Sequence, residues 1–165
     1  MNKALFLDRD GVINHDKEDD SFTYELSEFI ILPDVINTLV EAVDRGYLLF
    51  IITNQSGVGR GIYSLQHVKA IHEKLASALK AKNITFTEIF SCVHHPSTSE
   101  CICRKPNSLL FEKAIAKYNI DVNKSIMVGD RQRDIDAALK AGITKTLLIQ
   151  SNSSLKQVLP LLVKI

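Results

Sequence analysis

Five short apolar runs rich in β-formers recur along the chain, near residues 3–7, Tyr47 to Thr53, Phe86 to Val93, Ser125 to Gly129 and Thr144 to Ile149. Between most of them, apolar positions return every three or four residues, which is the period of a half-buried helix. Val35, Ile36, Leu39, Val40 and Val43 form one such stripe, with Pro33 placed for the first turn and Gly46 for the C-terminal cap. A clearer stripe follows Ser64 as N-cap, where Leu65, Val68, Ile71, Leu75 and Leu79 share a face and the lysines and His72 lie elsewhere. Further helices are expected from Asn107, carrying Leu110, Phe111, Ala114, Ile115 and Tyr118, from Arg131 to just before Gly142, and over residues 154–163. Strands alternating with helices predict an α/β fold with a mainly parallel sheet.

This is the pattern of a Rossmann-like three-layer sandwich, and 165 residues suit a single domain spanning residues 1–165. Hydrophobic residues make up 45% and charged residues 24%, with a net charge of +1, so no basic stripe points to nucleic acid. The apolar runs are too short to span a bilayer, and the strand-like start leaves no room for a secretory signal. A cytoplasmic monomer with reduced thiols is therefore expected, the three cysteines being an odd number.

In open α/β sheets ligands sit beyond the carboxyl ends of the strands, and those positions are chemically rich here. After Leu7 comes Asp8-Arg9-Asp10-Gly11-Val12. Strand alternation starts residues 8 and 10 on one side with Arg9 pointing away. One carboxylate is then placed to attack a phosphorus as the other handles protons. Alone, such a pair is equally a turn cap. The second strand ends in Thr53-Asn54-Gln55-Ser56-Gly57, whose hydroxyls and backbone N–H groups suit phosphate oxygens. Lys105 is a candidate to neutralise a transferring phosphoryl group. Asp130, following Ile126-Met127-Val128-Gly129, is a candidate to hold a magnesium ion together with Asp8. Asp134, one helical turn on, either orients Lys105, assists the metal, or is an exposed first-turn acid.

Taken in order, these residues resemble the haloacid dehalogenase superfamily of phosphohydrolases over nearly the whole chain. The resemblance implies Asp8 as nucleophile, Asp10 as general acid/base, Thr53 and Lys105 as phosphoryl binders, and magnesium on Asp8, Asp130 and the backbone carbonyl of Asp10. A capless fold is expected, since residues 11–52 and 54–91 are occupied by core elements and leave no space for a cap domain.

Cys92-Val93-His94 and Cys101-Ile102-Cys103 each place two soft donors at alternating positions. Four such donors suit a tetrahedral zinc, and four protein ligands leave no open position, so the zinc is structural. It would fasten a loop at about residues 92–103 that presents Arg104 and Lys105. His95 is the rival ligand to His94.

The zinc ligands together with the stretch from Thr53 to Gly61 are similar to the superfamily branch comprising D-glycero-D-manno-heptose 1,7-bisphosphate phosphatase and histidinol-phosphate phosphatase. Removal of the 7-phosphate from the heptose bisphosphate is the first reading, with Arg104 contributing to recognition and Asn54, Ser56 and Arg131 among the binding residues. Histidinol phosphate is the alternative. The short segment between the zinc-ligand pairs, Ser21-Phe22 in place of Gly-Tyr, and Asn107-Ser108-Leu109 in place of Pro-Gly-Met all lean that way. Arg60, Arg104, Arg131 and Lys17 would serve a second phosphate, whereas Asp16, Glu18, Asp19 or Asp20 would serve an ammonium group. A phospho-aspartate receiver domain is a different-class alternative, since it too gathers acids, Thr and Lys at strand ends. Specificity is expected from three loops: residues 14–30, Gly57 to Gly61, and the zinc loop.

Overall fold

The computed structural model describes residues 1–17 and 21–163. Strands β1 (Lys3–Leu7), β2 (Tyr47–Asn54), β3 (Glu88–Cys92), β4 (Ile126–Gly129) and β5 (Lys145–Leu148) form one sheet in the order β3-β2-β1-β4-β5. Every pairing is parallel, so the expected mainly parallel sheet is parallel throughout. Parallel neighbours require crossover connections, here supplied by α1 (Val35–Asp44), α2 (Leu65–Lys80), α3 (Leu109–Tyr118) and α4 (Gln132–Lys140).

Alternation along the strands divides the core between the two faces of the sheet. Leu5 and Leu7 of β1 join Leu39 of α1 and Ile71 and Leu75 of α2, while Ala4 and Phe6 join Phe111 of α3 and Ala137 of α4. Phe6 stacks on Phe50 at 5.1 Å between centroids and meets Phe111 at 5.3 Å. The result is three layers. β1 has β2 on one side and β4 on the other, so the crossovers leave it in opposite directions. The carboxyl ends of β1 and β4 thereby open the crevice where such folds bind ligands. Among the described residues between β1 and α1, only isolated bridges occur, Asp10 with Asn14 and Asn14 with Ile31, and no cap layer covers this edge.

Local chemistry corrects several element ends. Pro33 stands before α1, and Asp34 takes the N-cap position at φ 68°, a left-handed conformation that Asp tolerates better than most residues. Gly46, at φ 81°, follows α1 as expected and donates to the Val43 carbonyl. α3 and α4 start later than expected, with Ser108 and Arg131 as their N-caps. The last helix is a 3₁₀ segment, Leu155–Leu161, because Pro160 lies inside it and has no N–H for an α-helical ladder. No described helix is long and apolar enough to cross a membrane.

His72 of α2 is half-buried, and its Nε2 is buried without a hydrogen bond. Burial is the main reason its pKa falls from 6.5 to about 4, with Arg9 adding to the fall and Asp10 opposing it. Because the folded state binds this proton more weakly than the unfolded chain, the ring's contribution to stability is complete above pH 6.5 and is lost as pH falls toward 4. Relative to His72→Gln, the wild type should lose up to about 3 kcal/mol of unfolding free energy over that interval. Urea titrations across the interval check this, and parallel stability curves would contradict it.

Candidate active site

β1 ends at Leu7, but the Asp8 N–H still donates to the Val128 carbonyl at 3.0 Å, which fixes Asp8 at the mouth between β1 and β4. Lys105 reaches the same point from a distant loop. Asn54, at the end of β2, clasps it by donating through Nδ2 to the Lys105 carbonyl (3.2 Å) and accepting from the Lys105 N–H (3.1 Å). Lys105 Nζ then lies 2.9 Å from Asp8 Oδ1 and 2.7 Å from Asp134 Oδ1, and donates to the Ile52 carbonyl at 2.6 Å. Burial alone would favour a neutral amine, but the charges of Asp8 and Asp134 raise the Lys105 pKa and keep it protonated.

Asp134 therefore orients Lys105, one of the two functional roles its position suggested, and it is fully buried where an exposed first-turn acid was the third possibility. Its Oδ2 also accepts the Arg131 N–H at 3.0 Å, so one carboxylate caps α4 and pairs with the lysine. Gly129 makes this possible, because a Cβ there would collide with the Asp134 side chain.

Carboxylate oxygens of Asp8, Asp130 and Asp134 lie within 4.8 Å of one another. Both oxygens of Asp130 are buried and neither makes a well-formed hydrogen bond, although the Ser151 hydroxyl bears on the carboxylate and Arg131 Nε lies 3.5 Å from Oδ2. Burial is the chief cause of the raised Asp130 pKa, with the Asp134 charge contributing. Asp8 is pushed up in the same way, first by burial and then by Asp134, against the pull of Lys105. Three acids facing one ammonium leave negative charge uncompensated, and hard oxygens without a well-formed hydrogen bond are the ligands a divalent cation takes. The residues present thus fit a magnesium ion on Asp8 and Asp130.

The Asp10 carboxylate lies outside that group. It accepts from Arg9 Nε (3.2 Å), from Arg9 NH2 (2.7 and 2.9 Å), from Asn14 Nδ2 (2.9 Å) and from Gln55 Nε2 (2.9 Å). Burial would raise its pKa, but the Arg9 charge and these donors together hold it below the usual carboxylate range. Arg9 does not point away as strand alternation suggests. The strand has ended by that residue, and the guanidinium, 1% exposed, folds back onto Asp10 and donates to the Thr23 carbonyl.

A cleft of about 150 Å³ opens over these groups, with Asp8, Asp10 and Asp130 on its walls together with Asn54 and Ser56. Thr53 is almost wholly buried behind it, its hydroxyl accepting from Gln55 Nε2 at 2.9 Å. Arg104, Arg131 and Arg133 also line the cleft, Arg133 being a cation that the sequence reading did not single out. Arg131 NH2 pairs with Asp16 Oδ2 at 3.3 Å. Lys17 instead pairs with Glu28 at 2.8 Å, and the Arg60 guanidinium lies 5.9 Å from the Phe22 ring centroid. Glu18, Asp19 and Asp20 lie outside the described residues.

The second candidate centre is the loop after β3. Cys92 Sγ lies 3.7 Å from Cys101 Sγ and 3.7 Å from His94 Nδ1, while Cys103 Sγ lies 3.2 Å from Cys92 Sγ and 3.3 Å from His94 Nδ1. A tetrahedral ion with bonds of about 2.0–2.3 Å needs donor separations of roughly 3.3–3.8 Å. Three of the four separations fall in that range and the Cys92–Cys103 one falls just short of it, so the donors are grouped as such an ion requires. His95 takes no part, since its Nδ1 is engaged by the Ser97 hydroxyl at 2.6 Å. Arg104 NH1 donates to the His94 carbonyl at 3.4 Å, so the loop steadies one wall of the cleft.

A family model for HAD-hydrolase-like proteins matches residues 102–160. The chain is 37% identical over 155 residues to a D-glycero-alpha-D-manno-heptose-1,7-bisphosphate 7-phosphatase of Photorhabdus laumondii, covering 90% of this chain and 83% of that one. It is 35% identical over 156 residues to a D-glycero-beta-D-manno-heptose-1,7-bisphosphate 7-phosphatase of Haemophilus influenzae, covering 92% and 83%. Among solved structures, a D,D-heptose 1,7-bisphosphate phosphatase of B. bronchiseptica, complexed with magnesium and phosphate, superposes with a TM-score of 0.83 at 32% identity. That match covers 96% of this chain and 86% of the other.

Replacing Lys105 by Met would strand two buried carboxylates. We expect Lys105→Met to lose about 3–5 kcal/mol of unfolding free energy, the usual cost of removing one partner of a buried ion pair. Denaturant unfolding in the absence of magnesium measures it, and a loss below about 1 kcal/mol would show that the pair is not what stabilises the cluster.

Proposed function

The chain belongs to the haloacid dehalogenase-like phosphatases, and from that footing we propose that it removes the 7-phosphate of D-glycero-D-manno-heptose 1,7-bisphosphate through a phosphoaspartate on Asp8. The observation that carries the chemistry is the position of Asp8, held at the crevice by the Val128 carbonyl and by Lys105, with the buried Asp130 carboxylate beside it. Asp8 attacks phosphorus in line, and the bond from phosphorus to the leaving oxygen breaks as Asp10 gives that oxygen a proton, which Asp10, ionised in the free site, takes up from solvent when the anionic phosphate binds beside it. Asp10, now ionised, takes a proton from water, whose oxygen attacks phosphorus, releases phosphate and restores Asp8. Lys105 holds charge against the transferring group, and Thr53 supplies a hydroxyl at the strand end. Magnesium on Asp8, Asp130 and the Asp10 carbonyl would lower the repulsion between the anionic nucleophile and the anionic phosphate.

Arginines at the cleft favour a substrate with a second anionic group. Arg104 and Arg133 line the cleft as cations beyond the Arg131–Asp16 pair, and that pair engages the described acid that would meet an ammonium group. This supports the bisphosphate over histidinol phosphate. The named relatives include both anomers. Zinc on Cys92, His94, Cys101 and Cys103 serves as a structural clip. Residues 1–165 act as one capless, monomeric unit, with no nucleic-acid or membrane partner. A sugar phosphate as substrate and thiolate metal ligands both suit the reducing cytoplasm.

The test is phosphate release from both heptose 1,7-bisphosphate anomers and from histidinol phosphate, with magnesium and with Asp8→Asn as the control. The bisphosphates should give the higher kcat/KM, and Asp8→Asn should be inactive with its fold intact. A preference for histidinol phosphate would replace the substrate, and substantial turnover by Asp8→Asn would remove the nucleophile. A second prediction concerns the zinc clip. Cys103→Ser should lower both the melting temperature and the activity, because the loop that loses its metal also carries Arg104 and Lys105. Zinc content, thermal unfolding and phosphate release measured together decide it, and a zinc-free protein with unchanged activity would contradict it.

A further inference from the structure

Gln55 is 2% exposed and sits between two groups of the site. Its Nε2 donates to Asp10 Oδ2 and to Thr53 Oγ1, each at 2.9 Å, while its Oε1 accepts the Tyr63 hydroxyl at 2.9 Å. The amide therefore uses both donors and its acceptor. A flipped amide would turn its oxygen toward the Asp10 carboxylate, placing acceptor against acceptor. The Asp10 carboxylate thus selects the working orientation, and the buried Tyr63 hydroxyl, donating to Oε1, locks the amide in it.

Tyr63 is itself held in place. Its ring stacks on Tyr24 at 5.1 Å and meets the edge of Phe22 at 5.5 Å, and both residues belong to the loop between β1 and α1. Gly57 leaves the space the ring fills, since a Cβ at that position would run into it. Gly57 lies three residues past the end of β2, so the turn that carries Ser56 is shaped to admit the phenol.

We propose that Gln55, locked in one orientation by Tyr63, is a positioning residue that holds the Asp10 carboxylate and the Thr53 hydroxyl in place for proton transfer to the departing alkoxide. The proposal rests on the phosphatase reading, in which Asp10 is the acid/base. Arg9 and Asn14 hold Asp10 from the side of the 8–17 loop, whereas Gln55 reaches it from β2. Asp10 is thereby tied to the same strand end that presents Thr53. A carboxylate free to rotate away would fail the leaving group that most needs a proton.

The experiment compares two esters. An alkyl phosphate leaves as a strongly basic alkoxide and needs the proton, whereas p-nitrophenyl phosphate leaves as a weakly basic phenolate and does not. Tyr63→Phe and Gln55→Met should each lower kcat for the alkyl ester by about 30- to 100-fold, within the range general acid catalysis supplies, with KM within about twofold. For the aryl ester the loss should stay below about threefold. Because Tyr63 acts through Gln55, adding Tyr63→Phe to Gln55→Met should cost little more, which makes the double-mutant cycle strongly non-additive. Thermal unfolding of each variant separates misfolding from mispositioning, and if one variant is unstable the other still gives the ester comparison. Equal losses on both esters, or additive losses in the cycle, would overturn the relay while leaving the phosphatase reading intact. A wild-type protein that releases phosphate from neither ester would overturn both.

Discussion

A single buried ammonium group sets the terms for the rest of the site. Lys105 Nζ contacts Asp8 and Asp134 and donates to the Ile52 carbonyl, so one atom ties the ends of β1 and β2 to the first turn of α4. Each partner comes from a different crossover unit, and only a fully parallel sheet with β1 between β2 and β4 brings those ends together. The arrangement is not a good way to gain stability. Taking four charges out of water costs several kcal/mol per ion, and three acids against one lysine repel one another. Its logic is chemical: the excess negative charge prepares a place for a cation, and the lysine opposes the effect of burial on Asp8.

The two aspartates of the opening motif separate on the same physical grounds. Asp8 has a raised pKa, caused by burial and by neighbouring acids, while Asp10 has a lowered one, caused by Arg9 and a set of neutral donors that outweigh burial. Two carboxylates two residues apart thus experience opposite fields. A nucleophile must be ionised and a general acid protonated, so this field by itself runs against those two roles, and a cation held by Asp8 and Asp130 is what would bring Asp8 to its ionised form. Gly11, at φ 79°, is part of the division, because a Cβ there would strike both the Asp130 carboxylate and the Ser151 hydroxyl. The chain must turn at that point to send Asp10 away from the cation group.

Much of this was legible in the sequence because the strand signal is local. Asp8, Thr53 and Asp130 each follow an apolar run closely enough for position alone to place them at the crevice, and the Cys-x-Cys and Cys-x-His pairs advertise their own geometry. What was not legible depends on residues far apart in the chain. Arg9 was misread because alternation was extended past Leu7, where pairing stops. The meeting of Asp134 with Lys105 spans two crossovers, so spacing could only offer it as one option. Gln55 entered only as part of the strand-end stretch from Thr53 to Gly57 and Tyr63 not at all, since nothing in their spacing reveals that Gly57 leaves room for the Tyr63 ring. Element ends were misplaced where a left-handed Asp34 or an internal Pro160 overrode the hydrophobic period.

The separation between sheet and loops also explains how chemistry and selectivity can vary independently in this architecture. Asp8, Thr53 and Asp130 are fixed by the sheet, and Asn54 ties Lys105 to it, so their geometry is protected by the core on both faces. Arg104 and Arg131 are placed differently, one donating to the carbonyl of His94 and the other pairing with Asp16. A change in the cysteine loop can therefore move Arg104 without disturbing Asp8, and a change near Asp16 can redirect Arg131. Lys105 is the point where the two systems meet: its backbone belongs to the segment following the cysteine loop, while its ammonium belongs to the sheet's crevice. Asn54 holds that junction, because its side chain satisfies both the N–H and the carbonyl of Lys105, so a disturbance of the cysteine loop reaches Nζ only by straining these two bonds.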